Sequence, residues 1–243
     1  MNTEAPRYAI YCAPESWSDL WRFGSSVIGC DAASGTDVPF LTTGGMRIAE
    51  WSALTAEPRR YGFHATLKAP FHLADGFDET RLLERASAIA SAHTAVALEK
   101  WQVAVLSGFI ALKPTGDITQ LTSLASAMVD AFDDLRAPLT PADRARRLSA
   151  PLTARQIAYL DRYGYPHVLE EFRFHKTLTG KVPLGTIDDL RSELANRFAE
   201  ARVPSPIMVG GLTIFRQDRR TSRFRIIARF PLRCAETSDS QGS

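Results

Sequence analysis

YGFHATLKAPF (residues 61–71) and EFRFHKTLTG (171–180) carry one shared frame: His64-Ala65-Thr66-Leu67 and, 111 residues on, His175-Lys176-Thr177-Leu178. The chain has only five histidines, so two in the same frame form a pattern. Each frame sits in a run that reads as a β-strand, 61–68 with Pro70 ending it, and 171–179. Side chains at i and i+2 of a strand leave the same face. Each frame therefore sets an imidazole beside a hydroxyl. Two such pairs brought together supply two acid/base groups and two phosphate-sized hydrogen-bond donors, which can cleave a phosphodiester without a metal.

Outward from the frames, the chain repeats an order of motif strand, proline-containing turn, helix and two-strand hairpin. The first half runs HATLKAPFHL, then DETRLLERASAIASA (78–92, with Leu82, Leu83, Ala86 and Ile89 as its apolar stripe), then VALEKWQVAVL (96–106) and FIALK (109–113) about Ser107-Gly108. The second runs HKTLTGKVPL, then TIDDLRSELANRFAEA (186–201, with Leu190, Leu194 and Phe198 aligned), then IMVGGLTIF (207–215) and RFRIIARF (223–230). Two copies mark a diverged duplication rather than a solenoid. A strand over 7–13 and a helix over 16–28, starting near Glu15 or Ser16, precede the first copy. A helix over 118–135 and a helical excursion over 138–162 join the two.

The expected fold is α+β. Two pseudo-symmetric lobes, each a mostly antiparallel sheet with flanking helices, enclose an active-site cleft. One bilobal domain over 1–234 would place the His64 lobe at roughly 58–135 and the His175 lobe at roughly 165–234. Residues 7–30 would pack on both, and 235–243, small and polar, would form a disordered tail. Segments 31–55 and 138–162 depart most from the repeat and are expected to cap the cleft.

At 243 residues the chain can bury a full core. Its net charge of +2, from 29 basic and 27 acidic residues, argues against stable nucleic-acid binding, so an anionic partner would be held by local charge. Cys12, Cys30 and Cys234 are an odd set without metal spacing, which fits a reducing cytoplasm rather than a disulfide framework. The first residues lack a secretory pattern, and no apolar run reaches the roughly 18 residues of a membrane helix. His72, His93 and His167 share no spacing with the pairs, and no cysteine or carboxylate cluster completes a metal site. Gly44-Gly45 and Gly210-Gly211 lack the spacing of a phosphate-binding or dinucleotide loop. No metal and no cofactor are expected.

Phe63-His64-Ala65-Thr66-Leu67 and Phe174-His175-Lys176-Thr177-Leu178 resemble the doubled signature of the 2H phosphoesterase superfamily, two-histidine enzymes typified by RNA 2′,3′-cyclic phosphodiesterases. The likeness covers nearly the whole chain. YGFHATLKAPF and EFRFHKTLTG resemble a branch tied to phosphonate metabolism. The resemblance implies hydrolysis of a small cyclic phosphate or phosphodiester, with a phosphorylated ribose cyclic phosphate as the branch's plausible substrate. The alternatives are an RNA or nucleotide 2′,3′-cyclic phosphodiesterase, and a module that binds a phosphorylated metabolite without turnover.

The residues themselves suit this chemistry. An imidazole both takes and gives a proton near neutrality, so His64 and His175 would serve as base and acid, in an order the sequence leaves open. Thr66 and Thr177 would donate to the non-bridging oxygens. By strand alternation Lys68 and Arg173 share the motif face, and Arg60 does so if the strand starts early. These cations could hold a second phosphate or a carboxylate. Tyr11 and Tyr61 could line the cleft and stack on a sugar or base. Arg216, Arg219, Arg220 and Arg223 fall in a hairpin turn, either as a solvated turn or as a guide for an anionic substrate.

Overall fold

A computed structural model describes residues 5–41 and 45–234. Its elements run β1 (Arg7–Cys12), α1 (Asp19–Ile28), β2 (Cys30–Asp31), β3 (Thr36–Asp37), α2 (Ile48–Leu54), α3 (Ala56–Tyr61), β4 (Ala65–His72), α4 (Glu79–Ala92), β5 (Val96–Leu98), β6 (Lys100–Leu106), β7 (Phe109–Thr115) and α5 (Thr119–Ala131). They continue with α6 (Pro141–Leu148), α7 (Ala154–Tyr163), a 3-10 turn at Leu169–Glu171, β8 (Lys176–Lys181), α8 (Ile187–Glu200), β9 (Ile207–Val209), β10 (Gly211–Gln217) and β11 (Arg225–Pro231). Seven strands form an antiparallel sheet in the order β11-β10-β1-β4-β8-β7-β6, flanked by helices, so the expected α+β class holds. The tail expected at 235–243 lies outside the described residues.

Local chemistry sets the element ends. The Ser18 hydroxyl accepts from the Trp21 N–H at 3.1 Å and starts α1, later than the Glu15 or Ser16 start expected, which leaves Trp17 exposed. Gly29 closes the helix at φ 74°, in the left-handed region. Asp78 caps α4 through the Arg81 N–H at 2.8 Å. Ser107 and Gly108, both at positive φ, make the tight turn between β6 and β7.

Four strand readings are corrected. The first motif strand, expected over 61–68, is β4, which starts at Ala65 and runs through Pro70, while Tyr61 ends helix α3. Proline is tolerated there because β4 meets β8 at a single pair, Ala65 with Lys176, and beyond it that edge of β4 needs no donor. The runs 96–106 and 207–215 both split, because β5 and β9 leave the main sheet to pair with each other. The second motif strand starts at Lys176 rather than near 171.

The duplication is visible in the register. β4 and β8, β5 and β9, and β6 and β10 begin at 65 and 176, 96 and 207, and 100 and 211, a constant offset of 111. The pairs at the centre, Ala65 with Lys176 and Ala97 with Met208, join equivalent residues, so a pseudo-two-fold axis passes between them.

The lobes expected over 58–135 and 165–234 do not form as contiguous units. The hairpin β6–β7 of the first half pairs with β8 of the second, while β10–β11 of the second half joins β1 and so the β4 side. Helix packing follows the exchange: α8 lies on β6, and α4 lies on β10 and β11. Three cores result. Ile10, Leu67, Leu82, Leu121, Met128 and Leu212 fill one, Phe23, Trp51, Ile110, Leu178, Leu190 and Leu194 fill the second, and Tyr11, Trp21, Phe215 and Phe224 form a smaller third.

Candidate active site

A cavity of about 490 Å³ lies over the seam between β4 and β8. His64, Thr66, His175 and Thr177 all line it, so the fold brings the two frames to one space. Extending the Ala65–Lys176 register by one residue each way sets His64 across from Thr177 and Thr66 across from His175.

Both imidazoles are held alike. His64 Nδ1 lies 2.9 Å from the Gly62 carbonyl, and His175 Nδ1 lies 2.7 Å from the Arg173 carbonyl. A carbonyl only accepts, so each Nδ1 carries the hydrogen and each Nε2 is left as an acceptor. His64 Nε2 is 3.3 Å from the Thr66 hydroxyl. Gly62 aims its carbonyl by adopting φ 78°, where a Cβ would also sit 2.6 Å from that of Ala32. An aromatic from the neighbouring strand flanks each histidine. Tyr11 of β1 stacks on His64 at 3.6 Å between ring centroids, and Phe109 of β7 is tilted against His175 at 5.5 Å.

Burial in this wall favours neutral rings. Desolvation, with lesser repulsion from Lys176 and His175, lowers His64 from 6.5 to about 3, although the Gly62 carbonyl pulls the other way. His175 is lowered too, mainly by desolvation. Lys176 sits on the reverse face of the sheet, buried. Its ammonium donates to the Cys12 carbonyl at 2.9 Å and lies 5.7 Å from the ring centroids of both Phe63 and Phe174, the residues preceding the two histidines.

The outer residues divide. Tyr11 and Tyr61 line the cavity as expected. Lys68 does not: β4 slips register against β1 on either side of Lys68, which turns it away from Thr66. Its ammonium is buried under α5, donating to the Val129 carbonyl at 2.8 Å and Asp133 at 3.3 Å. Arg60 lies on α3 rather than on a strand, so the alternation that aligned it with His64 does not apply, and it is not in the wall. The Arg173 side chain is exposed outside the wall, and its contribution is the carbonyl that holds His175.

Sequence reading missed Arg7, Arg146, Arg147, Tyr165 and His167, all of them in the wall. Arg146 and Arg147 come from α6, so the excursion at 138–162 does cap the cavity. The described residues of segment 31–55 do not line it, and Trp51 is a core residue whose indole N–H donates to the Val27 carbonyl at 2.8 Å. The turn arginines are largely engaged elsewhere, Arg216 with Glu79, Arg220 with Asp143 and Arg223 with Asp37. Among the described residues there is no group of three or more histidine, cysteine or acidic side chains placed to hold a metal ion, and no helix long and apolar enough to cross a membrane.

Fold and site together define an α+β protein with a doubled His-x-Thr centre in one cavity. The chain belongs to the family described as protein of unknown function DUF1045, whose model matches residues 66–225. It is similar to two proteins named ribose 1,5-bisphosphate phosphokinase PhnN. That of Janthinobacterium sp. (strain Marseille) is 41% identical over 215 residues, 87% of this chain and 48% of that protein. That of Laribacter hongkongensis (strain HLHK9) is 34% identical over 224 residues, 90% of this chain and 50% of that protein. The chain thus spans about half the length of these curated relatives. Among solved structures, it is similar to one described as a phosphoesterase (13% identical, TM-score 0.40) and to E. coli LigT complexed with 3′-AMP (14% identical, TM-score 0.42). Each alignment covers 94% of this chain and 99% of the other.

Proposed function

We propose that the chain is a phosphoesterase that opens a small cyclic phosphate by two-histidine acid–base catalysis needing no metal. The observation that carries this reading is the pair of imidazoles held identically through Nδ1, each with its Nε2 left as the working nitrogen, in one cavity with two threonines. One neutral ring takes a proton from water as the water oxygen attacks phosphorus. The other ring, protonated, gives its proton to the departing sugar oxygen. One P–O bond forms, one breaks, and a cyclic diester becomes a monoester. Thr66 and Thr177 donate to the non-bridging oxygens, where charge builds. Both rings are neutral in the empty cavity, and the negative charge of a bound phosphate favours protonating one of them.

The names of the relatives support a pentose substrate. Opening a ribose 1,2-cyclic phosphate that carries a 5-phosphate, with the 2-oxygen leaving, gives ribose 1,5-bisphosphate, the compound in those names. This chain has no G-x-x-x-x-G-K-[ST] run, so phosphoryl transfer from a nucleotide is not assigned to it.

Phosphorus NMR in EDTA tests the proposal, with wild type, His64→Ala and His175→Ala each given that compound, a nucleoside 2′,3′-cyclic phosphate and a linear diester. Ring opening of the pentose compound by wild type, lost in both variants, is expected. Preference for the nucleoside compound would move the substrate to nucleotides. Retained turnover in either variant would refute two-histidine catalysis.

A further inference from the structure

We propose that the cavity continues into a second anion subsite, where Arg147, assisted by Arg7, holds a phosphoryl group remote from the bond that breaks. This rests on the phosphoesterase reading and narrows its substrate to a compound with two phosphoryl groups. An adjoining cavity of about 280 Å³ shares Arg7, Arg146, Arg147 and Tyr165 with the one over the histidines. The shared wall is basic; Glu57 is the carboxylate that lines the first cavity and Asp143 the one that lines the second.

Arg147 is the centre of this subsite. Its Nε is buried with no hydrogen-bond partner, and no carboxylate pairs with its guanidinium among the described residues. Asp143, one turn earlier on α6, is already taken by Arg146 at 2.7 Å, Arg220 at 2.6 Å and the Thr140 hydroxyl at 3.0 Å. The guanidinium instead lies over the Tyr165 ring, 4.9 Å from its centroid. Arg7 is similar: its Nε donates to the neutral Gln217 side chain at 2.9 Å, and it also lacks a carboxylate among the described residues. Outside the two cavities Arg144 is paired with Asp161 and Arg85 with Asp134. Two partly covered guanidiniums with no directly paired carboxylate carry a desolvation cost that the charge of a ligand can offset.

The chemistry fits a phosphomonoester. A guanidinium offers a planar fork of donors that matches two phosphate oxygens, and its charge does not depend on pH. Tyr11, which stacks on His64, lines the same cavity as Arg7 and Arg147. A substrate bridging subsite and reacting centre would set its cyclic phosphate at the histidines and its monoester at Arg147.

The test separates the subsite from the catalysis. Ribose 5-phosphate, which has no bond for this enzyme to open, is titrated calorimetrically into wild type, Arg147→Ala, Arg147→Lys and Arg7→Gln. Turnover of ribose 1,2-cyclic phosphate with and without the 5-phosphate is followed in parallel. Wild type should bind ribose 5-phosphate, and Arg147→Ala should weaken it about ten- to a hundredfold, the size of a lost hydrogen-bonded charge pair. Arg147→Lys should recover part of this, and the preference for the 5-phosphorylated substrate should fall with it. If Arg147→Ala melts far below wild type without ligand, the Lys and Gln variants decide. Failure of wild type to bind ribose 5-phosphate, or equal binding by the variants, overturns the subsite whatever the turnover. Binding lost on Arg147 substitution, with no cyclic phosphate opened, supports the subsite and refutes the catalytic reading alone.

Discussion

At His64, three contacts fix one ring: the Gly62 carbonyl on Nδ1, the Thr66 hydroxyl by Nε2 and the Tyr11 face. Such over-determination has a pH signature. The proposed chemistry needs one ring neutral and the other protonated, and both pKa values in the free protein lie below 6.5. Because kcat/KM reports the free enzyme, its maximum is expected on the acid side of 6.5. The kcat maximum should lie at higher pH, since bound phosphate raises the imidazoles. Coincident profiles would contradict this.

Stability carries the same sign. The unfolded His64 takes a proton below about 6.5, and the folded one only near 3. Wild type therefore loses stability as pH falls from 6.5 toward 3, by at most about 1.4 kcal/mol per pH unit from this group. In His64→Gln that component should vanish, as urea midpoints across this range would show. Thr66→Val and Thr177→Val should each lower kcat by about a hundredfold, the usual loss for one donor to a developing oxyanion. Equal rates would remove the threonines from the mechanism. The His-x-Thr pairs were legible because strand period 2 holds over three residues. Lys68 was not, because the register slips that turn it leave no mark in composition.

At the scale of elements, α1 is pressed on the start of β4. A Cβ on Gly24 would meet the Phe63 ring at 2.1 Å, and Phe63 directly precedes His64. Gly24→Ala is expected to destabilise by about 1–3 kcal/mol through overpacking, despite alanine's better helix propensity. A calorimetric melt checks it, and a raised Tm would mean that the ring has room to move. The helices were readable from apolar spacing, as in α4 with Leu82, Leu83, Ala86 and Ile89. Residues 56–61 were not, because a short helix ending at Gly62 imitates the head of a strand. Arg146 and Arg147 carry no local mark of function, since only the fold of α6 over the seam gives them one.

For the whole molecule, the exchanged hairpins decide cooperativity. A fragment over 1–137 would hold β4 without the β10–β11 hairpin, and one over 138–243 would hold β8 without β7. Each would expose sheet edges and apolar faces that the other covers. Neither is expected to show a cooperative melt alone, while mixing should restore one, followed by circular dichroism. A cooperative melt by either fragment alone would show that its half does not need the exchange. The repeat was visible in the sequence, and the exchange was not, because strand order within a sheet is set by pairing at long range.

The axis residues give the duplication a further meaning. Two identical copies related by a true two-fold would put the same side chain on both sides of that axis. The choice would be two buried lysines repelling each other, or two alanines and no charge. Joined as one polypeptide, the copies can differ there, and they do, with Ala65 facing Lys176. A single ammonium then rests against two equivalent phenyl faces, beneath two histidines to which the proposed mechanism gives opposite protonation states. Tandem linkage is what allows a symmetric scaffold to hold an asymmetric charge.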